Sequence, residues 1–378
     1  MDIDTIVPAM IVEAGGSAIH VGIMAAILTG GSSFTQILFA PYISNKPFKK
    51  KFLLLGINSR MFSLLGLGLI LFFLSSKSQG NILPLIFLFI TIFAIGGAFA
   101  NISYTDLVGK SILQENRKSF FSSKQMITSI ILIASAFWAK SVLSGREFPQ
   151  NYGNAIIIGF IALSLASLGF WNIRETIPAS LPIKSFKSFL ATMRSELKSN
   201  PRLVYFLGFV NTQGLVIGFL PFLILYAKQL SNMGPSGTGT LLIFKITGSV
   251  FISLMIFFLA KKARYSSMLY LNSALALTLP FSMLILGNNA PMPVLFLLGG
   301  MVFALYSITM NGVLLEISGN HNRAIYAGFA GAGNIIPAIF PLAGGWLIRT
   351  FGFNTFFIVY ISFISVSFFF INRLRCTK

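Results

Sequence analysis

Eleven stretches of about twenty apolar residues, each nearly free of charge, run through the chain. That is the length a helix needs to cross the ~30 Å hydrocarbon core of a bilayer. They cover residues 19–43, 52–74, 82–107, 120–143, 152–173, 203–227, 238–260, 268–287, 291–315, 324–348 and 353–371. Hydrophobic residues make up 55% of the 378 and charged ones only 10%, against roughly 25% charged in a soluble domain. No soluble core absorbs that surplus. In lipid a helix satisfies its own backbone, so the fold class is an all-α membrane protein.

The net charge of +19 would point a soluble protein toward nucleic acid. Here the cations sit in short connections between apolar runs and read as topology signals instead. Twenty-one of the 28 fall in one set of alternate loops: 44–51, 108–124, 174–202, 261–264, 316–323 and the tail after 371. Only Lys77, Lys140, Arg146, Lys228 and Arg349 fall in the other set, while Arg60 and Lys245 lie inside spans. The first set is therefore expected on the cytoplasmic side of a bacterial inner membrane, with the C-terminus inside. A lone Cys376 forms no intramolecular disulfide, and His20 and His321 form no metal-ligand pattern, so no metal or cofactor is expected.

The two halves of the chain resemble each other. Asn116-Arg117-Lys118 matches Asn322-Arg323, and Lys49-Lys50-Lys51 matches Lys261-Lys262. The shared offset of about 210 residues is the size of a six-helix half. The same offset sets Pro8 on Pro221, which has a full helix before it, whereas Pro8 has seven residues. The expected plan is two pseudo-symmetric six-helix bundles: 11 full transmembrane helices plus a partial first helix missing roughly a dozen residues. A chain of eleven spans with an outside N-terminus is the alternative. On the six-plus-six plan, 1–173 form the N-terminal bundle, 174–201 a basic central loop and 202–378 the C-terminal bundle.

Several motifs carry a family resemblance along the whole chain. Ala14-Gly15-Gly16-Ser17 with Val21-Gly22 resembles the entry to helix 2 of the major facilitator superfamily. Tyr104-Thr105-Asp106-Leu107-Val108-Gly109-Lys110 resembles the end of its helix 4, and Pro341-Leu342-Ala343-Gly344-Gly345-Trp346 a common ending of helix 11. The family's motif between helices 2 and 3 is altered: Lys49-Lys50-Lys51 keep its basic end, but Ser44 and Asn45 stand where an acid is usual. Residues 120–143 contain no glycine or proline, unlike helix 5 of the family's drug–proton antiporters. The resemblance implies a secondary active transporter of a small solute. Its two halves would rock around a midplane site by alternating access, driven by a proton or sodium gradient since no phosphate-binding loop is present. A non-transporting sensor or scaffold, or a non-functional truncated carrier, is the alternative.

Ionisable side chains in lipid are functional candidates by default. Arg60 is either a structural cation or a contact for an anionic solute. Lys245, about six residues from the outer end of its span, either snorkels outward or selects solute charge. Two such cations without a central carboxylate lean the substrate toward an anion. Glu13 is either a solvated loop acid or a titrating group for a proton-coupled carrier. Asn101, Tyr104, Asn211, Gln213, Tyr306 and Asn311 lie on spans that line the cavity in the resembled fold, where they bond a solute or tie helices together. Asp106 with Arg117, and Glu316 with Arg323, are candidates for a cytoplasmic gate. The implied partners are a small molecule, a coupling ion and the bilayer, in a protein that is monomeric, not an enzyme, and free of nucleic acid. If Asp106 and Arg117 belong to a gate, neutralising either changes the transport rate and leaves insertion intact; normal kinetics in both variants would exclude that role.

Overall fold

A computed structural model describes residues 2–44, 46–73, 82–111, 117–176, 186–231, 233–259, 264–318 and 334–374. The regular elements described are helical: α1 (Ile6–Glu13), α2 (Ala18–Ala26), a π-helical turn (Ile27–Gly31), α3 (Ser32–Ser44), α4 (Lys50–Phe73), α5 (Ile82–Ser111), α6 (Arg117–Ser144), α7 (Gln150–Trp171), α8 (Phe186–Ser199), α9 (Pro201–Gln213), α10 (Val216–Ser231), α11 (Pro235–Leu259), α12 (Tyr265–Leu286), α13 (Met292–Ser318) and α14 (Ile335–Leu374). Among the described residues, nine helices are long and apolar enough to cross a membrane. Two of the expected runs, 324–348 and 353–371, merge in α14, which bends at Gly352 with φ 82° and ψ 175°. That backbone region suits only glycine. A further run lies in α6, where Ile130–Ser144 is a shorter apolar helix.

The chain forms two compact units. The first comprises 27–192. The second comprises 193–378 together with residues 2–26. Each is held together by helices that meet over glycine, because dispersion packing rather than the hydrophobic effect joins helices in lipid. In the first unit α4 and α5 cross at Gly56 and Gly96. A methyl group on Gly56 would stand 2.5 Å from the Gly96 carbonyl oxygen, and one on Gly96 2.8 Å from the Gly56 oxygen. Leu53, Ile57, Ala100 and Leu107 fill the neighbouring core.

In the second unit the same device joins α11 to α13. A methyl group on Gly248 would run into the Leu297 carbonyl, and one on Gly300 into the Lys245 carbonyl. Residues 2–26 join this unit in a similar way: Gly22 lies against the Pro341 carbonyl of α14, and Gly345 against the Ala18 carbonyl of α2. Aromatic rings pack the remainder, with Phe219 at 4.5 Å and Phe222 at 5.0 Å, centroid to centroid, from Tyr360 and Phe356 respectively.

The helix pair α9–α10 forms one membrane span, Pro201–Gln229, broken near its midpoint. Gly214 and Leu215 form a turn there, with Ile217 N–H bonding the Gly214 oxygen (3.1 Å) and Gly218 N–H the Leu215 oxygen (3.0 Å). Pro221, about two turns on, donates no hydrogen bond, and its ring crowds the carbonyl of Ile217 four residues earlier. Gly300→Ala is expected to push α11 and α13 apart and cost on the order of 1–3 kcal/mol, read as a lower Tm of the purified protein in detergent.

Candidate functional site

Of the chain's nine acids, Asp2, Asp4 and Glu13 fall within the first thirteen residues. All three engage lysines of the second unit. Asp2 accepts the Asp4 and Thr5 backbone N–H groups (3.2 and 2.8 Å) on Oδ1, closing an Asx-type turn just before α1. Its other oxygen, Oδ2, bonds Lys245 Nζ at 2.7 Å, and so does Asp4 Oδ2, also at 2.7 Å. Asp4 and Lys245 are 3% and 5% exposed. The ammonium also faces the Phe303 ring at 5.5 Å.

Lys245 lies ten residues into α11, about 15 Å along its axis and so near the middle of a ~30 Å core. The sequence reading set it about six residues from the outer end of a span beginning at 238; α11 begins three residues earlier than that. Lys245 is no unpartnered cation awaiting an anionic solute, and the lean toward an anion loses that support. The physical reason is plain: a lysine buried in an apolar span needs counter-charge, and Asp2 and Asp4 supply it. Thr5 Oγ1, and Thr238 Oγ1 two turns before Lys245 on α11, are buried without a hydrogen-bond partner among the described residues.

Glu13, at the C-terminal end of α1, pairs with Lys228 of α10, whose ammonium also reaches the Met233 carbonyl at 3.3 Å. Glu13 is thus an ion-pair partner rather than a solvated loop acid.

The midspan break at Gly214 has polar neighbours on several helices. Gln213 Oε1 accepts from Ser273 Oγ of α12 (2.9 Å), which lies 2.9 Å from Ser367 Oγ of α14. Gln213 Nε2, both amide atoms of Asn272 and the hydroxyl of Tyr306 are buried without a partner among the described residues. Tyr306 Oη lies 3.0 Å from where a methyl group on Gly214 would stand. Buried groups of this kind can hydrogen-bond a guest or water.

The other expected residues are placed as follows. Asn211 donates to the Leu207 oxygen (2.9 Å) and accepts the Ile336 N–H (2.9 Å), so it ties α9 to α14. In the first unit the Arg60 guanidinium sits 4.1 Å from the Phe93 ring centroid, and its Nε has no hydrogen-bond partner among the described residues. Tyr104 packs edge-on against Phe170 at 6.1 Å in the core of that unit. Asn101, on α5, is exposed and makes contacts of its own. The side chains of Asp106, Arg117, Asn311 and Glu316, and all of Arg323, lie outside the described residues. Sequence reasoning missed Asn272, Ser273 and Ser367. An asparagine interrupting the apolar run 268–287 was the available signal.

Residues 2–334 match the sequence profile of the Major Facilitator Superfamily. The chain belongs to that family. As one of its transporters, it is a multi-pass membrane protein and a carrier rather than an enzyme. No curated protein sequence matches it. Among solved structures, the nucleoside transporter NupG, in a mutant form, aligns with TM-score 0.67 and 17% identity over 98% of this chain and 94% of its own. The xylose transporter XylE from E. coli aligns with TM-score 0.68 and 13% identity over 98% and 93%. A peptide-bound POT family transporter gives TM-score 0.68 and 12% identity over 98% and 93%. At such identities these likenesses concern the fold.

Lys245→Met would leave two neighbouring carboxylates, that of Asp4 buried, without their cation. Breaking a buried ion cluster by removing one partner costs about 3–5 kcal/mol. The expected outcome is a large fall in folded yield and Tm, partly restored when Asp4→Asn is added.

Proposed function

We propose that this major facilitator superfamily transporter is a proton-coupled secondary carrier. It moves a small polar solute across the cytoplasmic membrane of a bacterium by alternating access. One observation carries the reading: two carboxylates, Asp2 and Asp4, share one ammonium at membrane depth. Counted over these three side chains, both acids ionised leave one negative charge unbalanced. Uncompensated charge at that depth is costly, and a proton on either carboxylate removes it. The cluster therefore favours taking up a proton when water is excluded and releasing one when a side opens. Asp2 and Asp4 replace Glu13 as the favoured carriers of that proton, because Glu13 is matched one-to-one by Lys228.

The solute reading rests on the unpartnered hydrogen-bonding groups of Gln213 and Tyr306 at the span break and of Asn272 on α12, which are neutral and suit a neutral polar guest. The fold neighbours carry xylose, nucleosides and peptides, and these classes form the first panel to try. The eleven spans plus partial first helix, the two six-helix halves, the inside C-terminus, the monomeric state and the gate formed by Asp106, Arg117, Glu316 and Arg323 complete the proposal. They are supported by the loop charges and the internal repeat.

The test is uptake by proteoliposomes of labelled pentoses, nucleosides and dipeptides, with and without an inward proton gradient. Gradient-driven accumulation of one class is expected. Asp4→Asn should abolish accumulation while leaving exchange of that solute across the membrane. Uptake that follows a sodium gradient and ignores pH would replace the proton by sodium. Binding without any movement of solute would favour the sensor or scaffold reading.

A further inference from the structure

Helix α8, Phe186–Ser199, belongs to no membrane span. Its sequence sorts cleanly around the helix axis. Phe186, Phe189, Leu190, Met193 and Leu197 recur at spacings of three, four and seven, which places them on one stripe. Ser188, Ser195 and Ser199 fall on the opposite side. Lys187, Arg194 and Lys198 recur at seven and four, so they form a single line along one flank of the apolar stripe. All three basic residues are exposed. The acids nearby do not oppose them. Glu196 falls on the other flank. Glu175 accepts the backbone N–H groups of Lys49 and Lys50 at the start of α4 (2.7 and 2.8 Å).

The height of this helix is set by its attachment. One residue, Asn200, with φ −122° and ψ 88°, separates the end of α8 from Pro201, where the span Pro201–Gln229 begins. The C-terminal end of α8 is therefore pinned at the level where that span leaves the bilayer. A helix of fourteen residues is about 21 Å long. Pinned there, with an apolar stripe, a serine stripe and a basic flank, it has the pattern of a helix lying in the interface. A helix of that pattern lays its apolar side in the acyl boundary and its cations among the headgroups.

We infer that α8 is a docking surface for the anionic phospholipid face of the bilayer, bound by Lys187, Arg194 and Lys198. The basic flank selects negative headgroups over zwitterionic ones, and each cation adds to retention near a negative surface. The inference does not rest on the solute or on proton coupling. It holds or fails on lipid binding alone.

The test uses the full-length protein in nanodiscs of pure phosphatidylcholine and of phosphatidylcholine mixed with phosphatidylglycerol. Amide hydrogen exchange is followed over residues 186–199. Protection is expected to rise with phosphatidylglycerol and to fall as salt is added. Neutralising the flank in K187Q/R194Q/K198Q should remove the phosphatidylglycerol dependence, with an effect of roughly fivefold per cation on the occupancy of the bound state. The spans should keep their exchange pattern, which shows that the variant is folded. Equal protection in neutral and anionic discs would overturn the inference. So would a triple variant that still responds to phosphatidylglycerol, or protection produced equally by inorganic phosphate added to neutral discs.

Discussion

The second unit depends on a counter-charge that arrives from the far end of the chain. A lysine near the middle of the hydrocarbon layer is tolerated only with partners. Lys245 takes both of its partners from Asp2 and Asp4, more than 240 positions away in sequence. Lys228 takes its partner, Glu13, from the same short segment. These contacts, with the glycine seam of Gly22 and Gly345, explain why residues 2–26 group with 193–378. Electrostatics in a medium that cannot solvate charge decides the grouping, and the van der Waals seam between α2 and α14 makes it close-packed.

Much of this was legible from residues alone. Span positions follow from length and apolarity, because lipid leaves the backbone no other solution. The family follows from short motifs that survive at their expected places. The ion partners were not legible. Nothing in the local sequence around Lys245 indicates which acid meets it, since pairing across 240 positions depends on how helices pack and not on periodicity. The start of that helix was set late for a related reason: residues 234–237 read as a loop by composition and the expected span began at 238, yet α11 already begins at Pro235. Gln213 was legible as a polar residue in its span, but its chain through Ser273 to Ser367 escaped for the same cause, since only the meeting of three helices makes a network.

The broken span shows local sequence and packing acting together. Gly214 and Pro221 each weaken the helix, but the break lies where Pro337 and Tyr306 crowd the glycine, with Pro337 Cγ 2.5 Å from where a side-chain carbon would stand. A bulkier residue at 214 would meet protein on more than one side. The polar groups that converge at this level owe their position to that close approach.

The long-range pairing bears on how the gene can be divided. A cut in the central loop, the natural place to separate two halves by sequence, would send Asp2, Asp4 and Glu13 away on one fragment. The other fragment would keep Lys245 and Lys228 with those three acids removed. Its insertion would then have to bury bare ammonium groups. The two pieces would be obliged to meet during membrane assembly, rather than mature independently and dock afterwards.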